Sequence, residues 1–412
     1  MNKLNQFVKI TFLVIIAFFI HSSAIADEFS EVTLLAGGDV EWSRMWNESL
    51  FHQQVIPYQL KFASKEEELS YPFVRIKPVL ENADITFVNL ETPLSDKAKK
   101  TGAFITPTAF AEEMQFAGID VVSTANNHAL DAGIIGLKDT LSSLSKVSLH
   151  PIGSGRNLAL ARLPFITEKN GIRLGFLAYT MCENSGNSSY VTSNRPGVMP
   201  TDLSLIKEDI QKLRHSVDYV ILSFHWGLTD SEKSPFWVRQ LAHKSIDAGA
   251  DIILGHHPHY PQGIEIYKNK PIIYCLGNVI FGHNHKFWTD NFLAKFILNP
   301  NQIKSIQIIP IAGKNQDLAQ PFQLTRKRSQ ELLKTVQKKT LALKTKMRIV
   351  GDIGIINPAT AAMPKSIIDD FIYDLMLPKP LWMLLLSLLT VGFILRFGLS
   401  RLFHKRKHFS RT

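Results

Sequence analysis

The chain has 412 residues, 45% hydrophobic and 20% charged, with a formal net charge of +10, a length that suits one large domain or two ordinary ones. The positive excess is uneven: residues 27–312 hold 26 basic against 30 acidic side chains, whereas the tail after Leu395 holds six basic residues and no acid. A net-acidic central region argues against a nucleic-acid-binding face, and two cysteines, Cys182 and Cys275, exclude a disulfide framework and any cysteine-based metal motif, though they can pair or stand as buried thiols.

Taken in chain order, Lys3 and Lys9 precede an apolar stretch, and Ala24-Ile25-Ala26 offers a small-x-small cleavage site before Asp27. This predicts a signal peptide over 1–26, with an uncleaved anchor as the alternative. Residues 27–312 alternate short apolar runs with helix-like stretches such as 137–144 and 238–248. Six of the runs have strand length and β-rich composition, at 32–36, 85–88, 121–124, 219–223, 252–254 and 272–276. Each ends on Asp, Asn, Glu or His. Ligands of α/β folds bind at the carboxyl ends of strands, so one α/β domain with a site at those ends is the economical expectation.

Residues 313–375 turn Lys-rich with helical spacing and read as a basic juxtamembrane stalk, solvated or facing anionic lipid or an acidic polymer. Residues 381–395 carry no charge, and Trp382 stands where an interfacial aromatic would. With snorkelling of Lys379 and Arg396 this predicts a transmembrane helix over 376–399. Arg401, Lys405, Arg406, Lys407 and Arg411 then make 400–412 a cytoplasmic basic tail, which puts the main domain outside the membrane.

The strand ends offer Asp39, Asn89, Glu91, Asn127, His128, His225, His257 and His259. A mixed carboxylate, amide and imidazole set suits Mn, Zn or Fe(II), as one ion or a pair about 3.5–4 Å apart bridged by a carboxylate. Taken singly, Asp39, Asn126, Asn127 and Asp131 can equally be turn or cap residues. In Gly255-His256-His257-Pro258-His259 only two imidazoles need face a site, and His257 and His259 are preferred to His256. His283-Asn284-His285 is peripheral. His128, next to Asn127, is the candidate general acid. Arg44 and Arg195 are candidate anion clamps, Arg44 among the catalytic groups and Arg195 with Asn89 among the substrate-binding ones. No Gly-x-Ser-x-Gly elbow supports a serine hydrolase.

Gly38-Asp39-Val40 with Arg44, Asn89-Leu90-Glu91, Asn126-Asn127-His128-Ala129-Leu130-Asp131-Ala132-Gly133, Gly153-Ser154-Gly155, His225-Trp226-Gly227, the His-rich run and Tyr274-Cys275-Leu276-Gly277-Asn278 occur in that order. Together they resemble the CapA-type capsule (poly-γ-glutamate) synthesis proteins, a branch of the calcineurin-like metallophosphoesterases. The resemblance covers residues 31–285. It implies a two-sheet α/β sandwich flanked by helices, with Asp39, Glu91, Asn127, His225, His257 and His259 as metal ligands and His128 as acid. The chain departs from the general phosphoesterase pattern at three places. Asp39-Val40-Glu41 stands for Asp-x-His, Asn89 and Glu91 stand for a bridging Asp, and Cys275 replaces a Ser. The expectation is a membrane-anchored extracytoplasmic protein of capsule production, hydrolase-like, handling an acidic polymer beside membrane synthase subunits. The alternatives are a phosphoesterase for another phosphorylated envelope substrate and a non-catalytic assembly or export subunit.

Overall fold

The apolar runs fold as strands and pair into two large sheets. The computed structural model describes residues 30–43, 62–97, 104–181, 189–282 and 289–363. Its strands are β1 (Val32–Glu41), β2 (Ile85–Leu90), β3 (Val121–Ser123), β4 (His150–Ile152), β5 (Ser154–Gly155), β6 (Phe165–Lys169), β7 (Ile172–Thr180), β8 (Gly197–Val198) and β9 (Tyr219–His225). They continue as β10 (Ile252–His256), β11 (Ile264–Tyr267), β12 (Lys270–Ile273), β13 (Asn278–Phe281), β14 (Asn291–Leu298), β15 (Ile303–Ile311), β16 (Arg348–Val350) and β17 (Ile353–Ile356). A nine-stranded sheet runs β16-β17-β15-β14-β1-β2-β3-β4 with β13 also on β1, and a six-stranded sheet runs β11-β12-β10-β9-β7-β6. β5 and β8 pair separately.

The two sheets share one apolar layer. Phe87 of β2 stacks on Phe176 of β7, with ring centroids 6.3 Å apart, and Leu34, Ile221, Leu254 and Phe296 are buried in the same cluster. A second cluster, with Phe73, Phe110, Met114 and Leu144, covers the other face of the nine-stranded sheet. The described helices longer than ten residues are α1 (Gly133–Lys146), α2 (Leu203–Arg214), α3 (Phe236–Asp247) and α4 (Arg326–Ala342). Their starts and faces follow local chemistry. Asp202 caps α2 by accepting from Ser204 N and Leu205 N, and Ile206, Ile210 and Leu213 then recur at helical spacing on its buried side.

β1 changes partner halfway along, and this sets the site. Its first half pairs antiparallel with β14 through residues 32–36; from Asp39 onward it pairs in parallel with β13. The switch falls at Gly37-Gly38. A Cβ on Gly38 would lie 1.8 Å from the Gly277 carbonyl oxygen, so no side chain fits there. That approach lets Asp39 N donate to Gly277 O at 3.0 Å.

The boundary expected at residue 312 is corrected. Residues 313–363 belong to the same compact unit, which runs to Met363. α4 buries Ser329, Leu332, Leu333, Val336 and Thr340 on one stripe, and Leu332, Leu333 and Val336 enter the apolar layer between the sheets. β17 then pairs antiparallel with β15. The Lys-rich segment up to residue 363 is therefore a covering helix and two strands, not a stalk. Among the described residues no helix is long and apolar enough to cross a membrane. The expected signal peptide (1–26), transmembrane helix (376–399) and basic tail (400–412) lie outside the described residues, as do Arg44, Cys182, His283 and His285.

Candidate metal centre

Five strand ends meet at one place. Asp39 comes from β1, Glu91 follows β2, Asn127 follows β3, His225 ends β9, and His257 and His259 follow β10. Two groups of ligand atoms form, each within 4.8 Å internally: Glu91 with His225 and His257, and Asp39 with Glu91 and His259. Glu91 belongs to both. In the first group His225 Nε2 lies 2.6 Å from Asn127 Oδ1, 3.1 Å from His257 Nδ1 and 3.4 Å from Glu91 Oε1. In the second, His259 Nδ1 lies 3.6 Å from Asp39 Oδ2 and 3.9 Å from Glu91 Oε2.

Both oxygens of Glu91 are buried and have no hydrogen-bond partner. An unsatisfied buried carboxylate is costly, about 1–3 kcal/mol and more when charged. Burial first, and then the neighbouring Asp39, push its carboxyl well above the usual carboxylate range. Burial also pushes the imidazoles down, His225 and His259 below their ordinary value and His257 to about 4. They are neutral at pH 7 with lone pairs available. Asp39 is opposed by burial, yet His256, the charge of His259 and the Asn89 amide hold its carboxyl below its ordinary value. Lone-pair atoms converging without enough protons between them are what divalent cations require, and this donor set fits one or two of them.

The loop carrying the last two imidazoles is strained. His257 has φ 96° and His259 φ 60°, in the left-handed region that non-glycine residues avoid. Such residues cost about 1–3 kcal/mol each and persist only where the surroundings hold them. Here Asp39 Oδ2 accepts from His257 N at 3.3 Å, and Thr229 Oγ1 lies 3.1 Å from His257 Nε2.

Asn89, expected to bind substrate, lies among the ligand groups. It is fully buried, its Nδ2 donates to Asp39 Oδ1 at 2.8 Å and lies 3.3 Å from His225 Nδ1. It therefore touches both Asp39 and His225. Arg195 donates to the Tyr190 carbonyl at 2.9 Å, in a segment packed against Ala129 and Leu130. His128 stands at the rim, its side chain 22% exposed, with Nε2 4.0 Å from Glu91 Oε1. Its Nδ1 donates to Asp131 Oδ2 at 2.8 Å and its ring lies against Phe104 at 4.2 Å.

Several residues that sequence reasoning passed over belong here. Asp131 is not a helix cap, because α1 starts after Ala132 with no side-chain cap bond. The signal was the His-x-x-Asp spacing, closed as a turn by Asp131 N donating to His128 O at 3.0 Å. Asn126 donates to Leu90 O at 2.7 Å and accepts from His128 N at 3.1 Å, locking the Asn-Asn-His turn. His256 is fully buried with Nδ1 3.3 Å from Asp39 Oδ1, behind the ligands. Glu41 stands at the place of the phosphoesterase histidine, and its carboxylate accepts from Ser43 N and, at 2.9 Å, from Gly282 N.

Residues 33–283 match the family described as bacterial capsule synthesis protein PGA_cap. The chain belongs to this family. PGA_cap relatives include the PGA biosynthesis protein CapA of Bacillus subtilis, 32% identical over 245 residues, covering 58% of this chain and 64% of that one. The capsule biosynthesis protein CapA of Bacillus anthracis is 30% identical, covering 58% and 61%. This chain thus spans less than two thirds of the length of either. A probable polyglutamine synthesis accessory protein of Mycobacterium tuberculosis is 27% identical over 324 residues, covering 68% and 84%. Among solved structures, the Haemophilus influenzae NAD nucleotidase aligns at TM-score 0.39 and 14% identity, over 74% of this chain and 62% of that one.

Proposed function

We propose that this PGA_cap protein is a metal-dependent hydrolase or transferase of capsule production, acting on an acidic polymer of the poly-γ-glutamate type. The observation that carries this reading is Glu91, shared by two ligand groups with both oxygens buried and without a hydrogen bond. Asp39, Glu91 and His259 would hold one cation, and Glu91, Asn127, His225 and His257 the other, with Mn, Zn or Fe as candidates. When bound, such ions supply Lewis acidity toward an acyl or phosphoryl oxygen and activation of water near neutral pH.

The chain's own groups do the rest. Asp131 accepts from His128 Nδ1–H and directs the ring, whose Nε2 faces the ligand groups and, when the ring carries both protons, can pass that proton to a leaving group. Asn89 and His256 hold Asp39 from behind, and Asn126 holds the turn that carries Asn127 and His128. Arg44 is proposed as an anion clamp. We also propose that 1–26 exports the chain and 376–399 anchors it, so that the sheets face the outside beside membrane synthase subunits.

The test uses the purified full-length chain, with metal measured by elemental analysis and Mn²⁺-dependent turnover assayed on poly-γ-glutamate and on bis(p-nitrophenyl) phosphate. Shortening or transfer of the polymer is the expected result. Turnover of the phosphodiester alone would move the reading to a phosphoesterase of another envelope substrate. Metal-free protein inactive on both would leave an assembly subunit.

A further inference from the structure

The two halves of the site have unequal ligand sets. One half has a carboxylate, an amide oxygen and two imidazoles, whereas the other has two carboxylates and one imidazole. The histidine that would complete the second half is Glu41 here, and Glu41 is committed to Ser43 N and Gly282 N. Another residue stands beside the gap. Asn278, the first residue of β13, pairs in register with Asp39 on β1, and parallel neighbours in register project to the same side of a sheet. Asn278 is 1% exposed, and its Oδ1 lies 2.9 Å from His259 Nδ1, the nitrogen that faces Asp39 Oδ2 and Glu91 Oε2.

We infer that Asn278 Oδ1 is the fourth protein ligand of the Asp39–Glu91–His259 half, an inference that rests on the metal reading above. Two features of the amide support it. Asn127 Oδ1 stands in the same relation to His225 Nε2 in the other half, at 2.6 Å. Each half therefore places one amide oxygen within 3 Å of an imidazole nitrogen. The Asn278 Nδ2 group is buried with no acceptor. An amide that served only as a hydrogen-bonding neighbour would leave this donor stranded for one ordinary bond, a poor exchange. An oxygen that shares a cation with His259, Asp39 and Glu91 gains enough to hold the side chain there, and oxygen ligation by Asn is common for Mn²⁺-type ions.

Mn²⁺ titration of the full-length chain by calorimetry, with elemental analysis of the dialysed product, tests this. Wild type should take up two ions per chain, and Asn278→Ala should lose one of them or bind it at least tenfold more weakly. Asn278→Asp, of the same size, decides between ligation and hydrogen bonding. A carboxylate on the cation should tighten that ion, whereas a carboxylate that merely accepts from His259 Nδ1–H would stabilise the protonated ring and weaken uptake. Unchanged two-ion binding in Asn278→Ala, or weakened binding in Asn278→Asp, overturns the assignment and leaves the metal reading standing. Uptake of a single ion by wild type also overturns it, and no uptake by wild type removes both.

Discussion

At the scale of single residues, the proposed site separates groups that would hold a cation from one that would move a proton. The ligand atoms of Asp39, Glu91, His225 and His257 are buried, while His128 alone among the site imidazoles is substantially open to solvent. His128→Asn should therefore lower kcat by about 10²–10⁴-fold while metal content stays at the wild-type level. Asp131→Asn should lower it less, because the ring remains but loses its orienting partner. Loss of metal in His128→Asn would mean that His128 is a ligand and not the acid. Burial also gives the metal-free chain a predictable response to pH. His225, His257 and His259 are depressed below 6.5, so on unfolding they bind protons that the native state refuses. Glu91, Glu113 and Asp120 work in the opposite sense, but with His150 the depressed imidazoles still outnumber them. Stability in chelator should fall as pH drops from about 6.5 toward 4, by up to about 1.4 kcal/mol per pH unit for each net proton. Urea midpoints that rise over that interval would contradict it.

At the scale of elements, α4 is the part whose role depends most on tertiary packing. Leu333→Ala should cost about 2–5 kcal/mol, since the side chain is fully buried between the sheets. A chain ending at residue 312 should fail to fold cooperatively, because it strips β17 from β15 and uncovers the layer that α4 closes. A chain ending at 363 should melt as the full one does, and cooperative melting of the shorter chain would sink the argument. This segment was misread for a physical reason. α4 is mostly Lys, Arg, Gln and Thr, and two of its five buried positions are Ser329 and Thr340, so its apolar stripe is only Leu332, Leu333 and Val336. Thr340 is buried for its polar chemistry, its hydroxyl accepting from Ile264 N at 3.1 Å. The strands were easier, because their apolar runs are dense and each stops at a polar residue. Most of the residues that converge at the candidate site were legible from those stops. Asn89 and Asn278 were harder to place, since their tasks depend on the register that puts both beside Asp39.

At the scale of the whole molecule, the centre lies at the seam of the two sheets, with β1, β2 and β3 on one side and β9 and β10 on the other. Cations that bind only the native state would therefore cross-link the two sheets. At 100 times its Kd each ion adds about 2.7 kcal/mol, so exhaustive chelation should lower Tm and Mn²⁺ should restore it. An identical Tm with and without chelator would show that the centre is not loaded. The left-handed backbone at His257 and His259 carries a different implication, for heredity and not for chemistry. Glycine at either position would relax the backbone and remove a buried imidazole, so the fold alone would favour it. A library selected only for heat resistance in chelator should drift to glycine at 257 and 259. A library selected for polymer production should keep both histidines and tolerate the lower melting point.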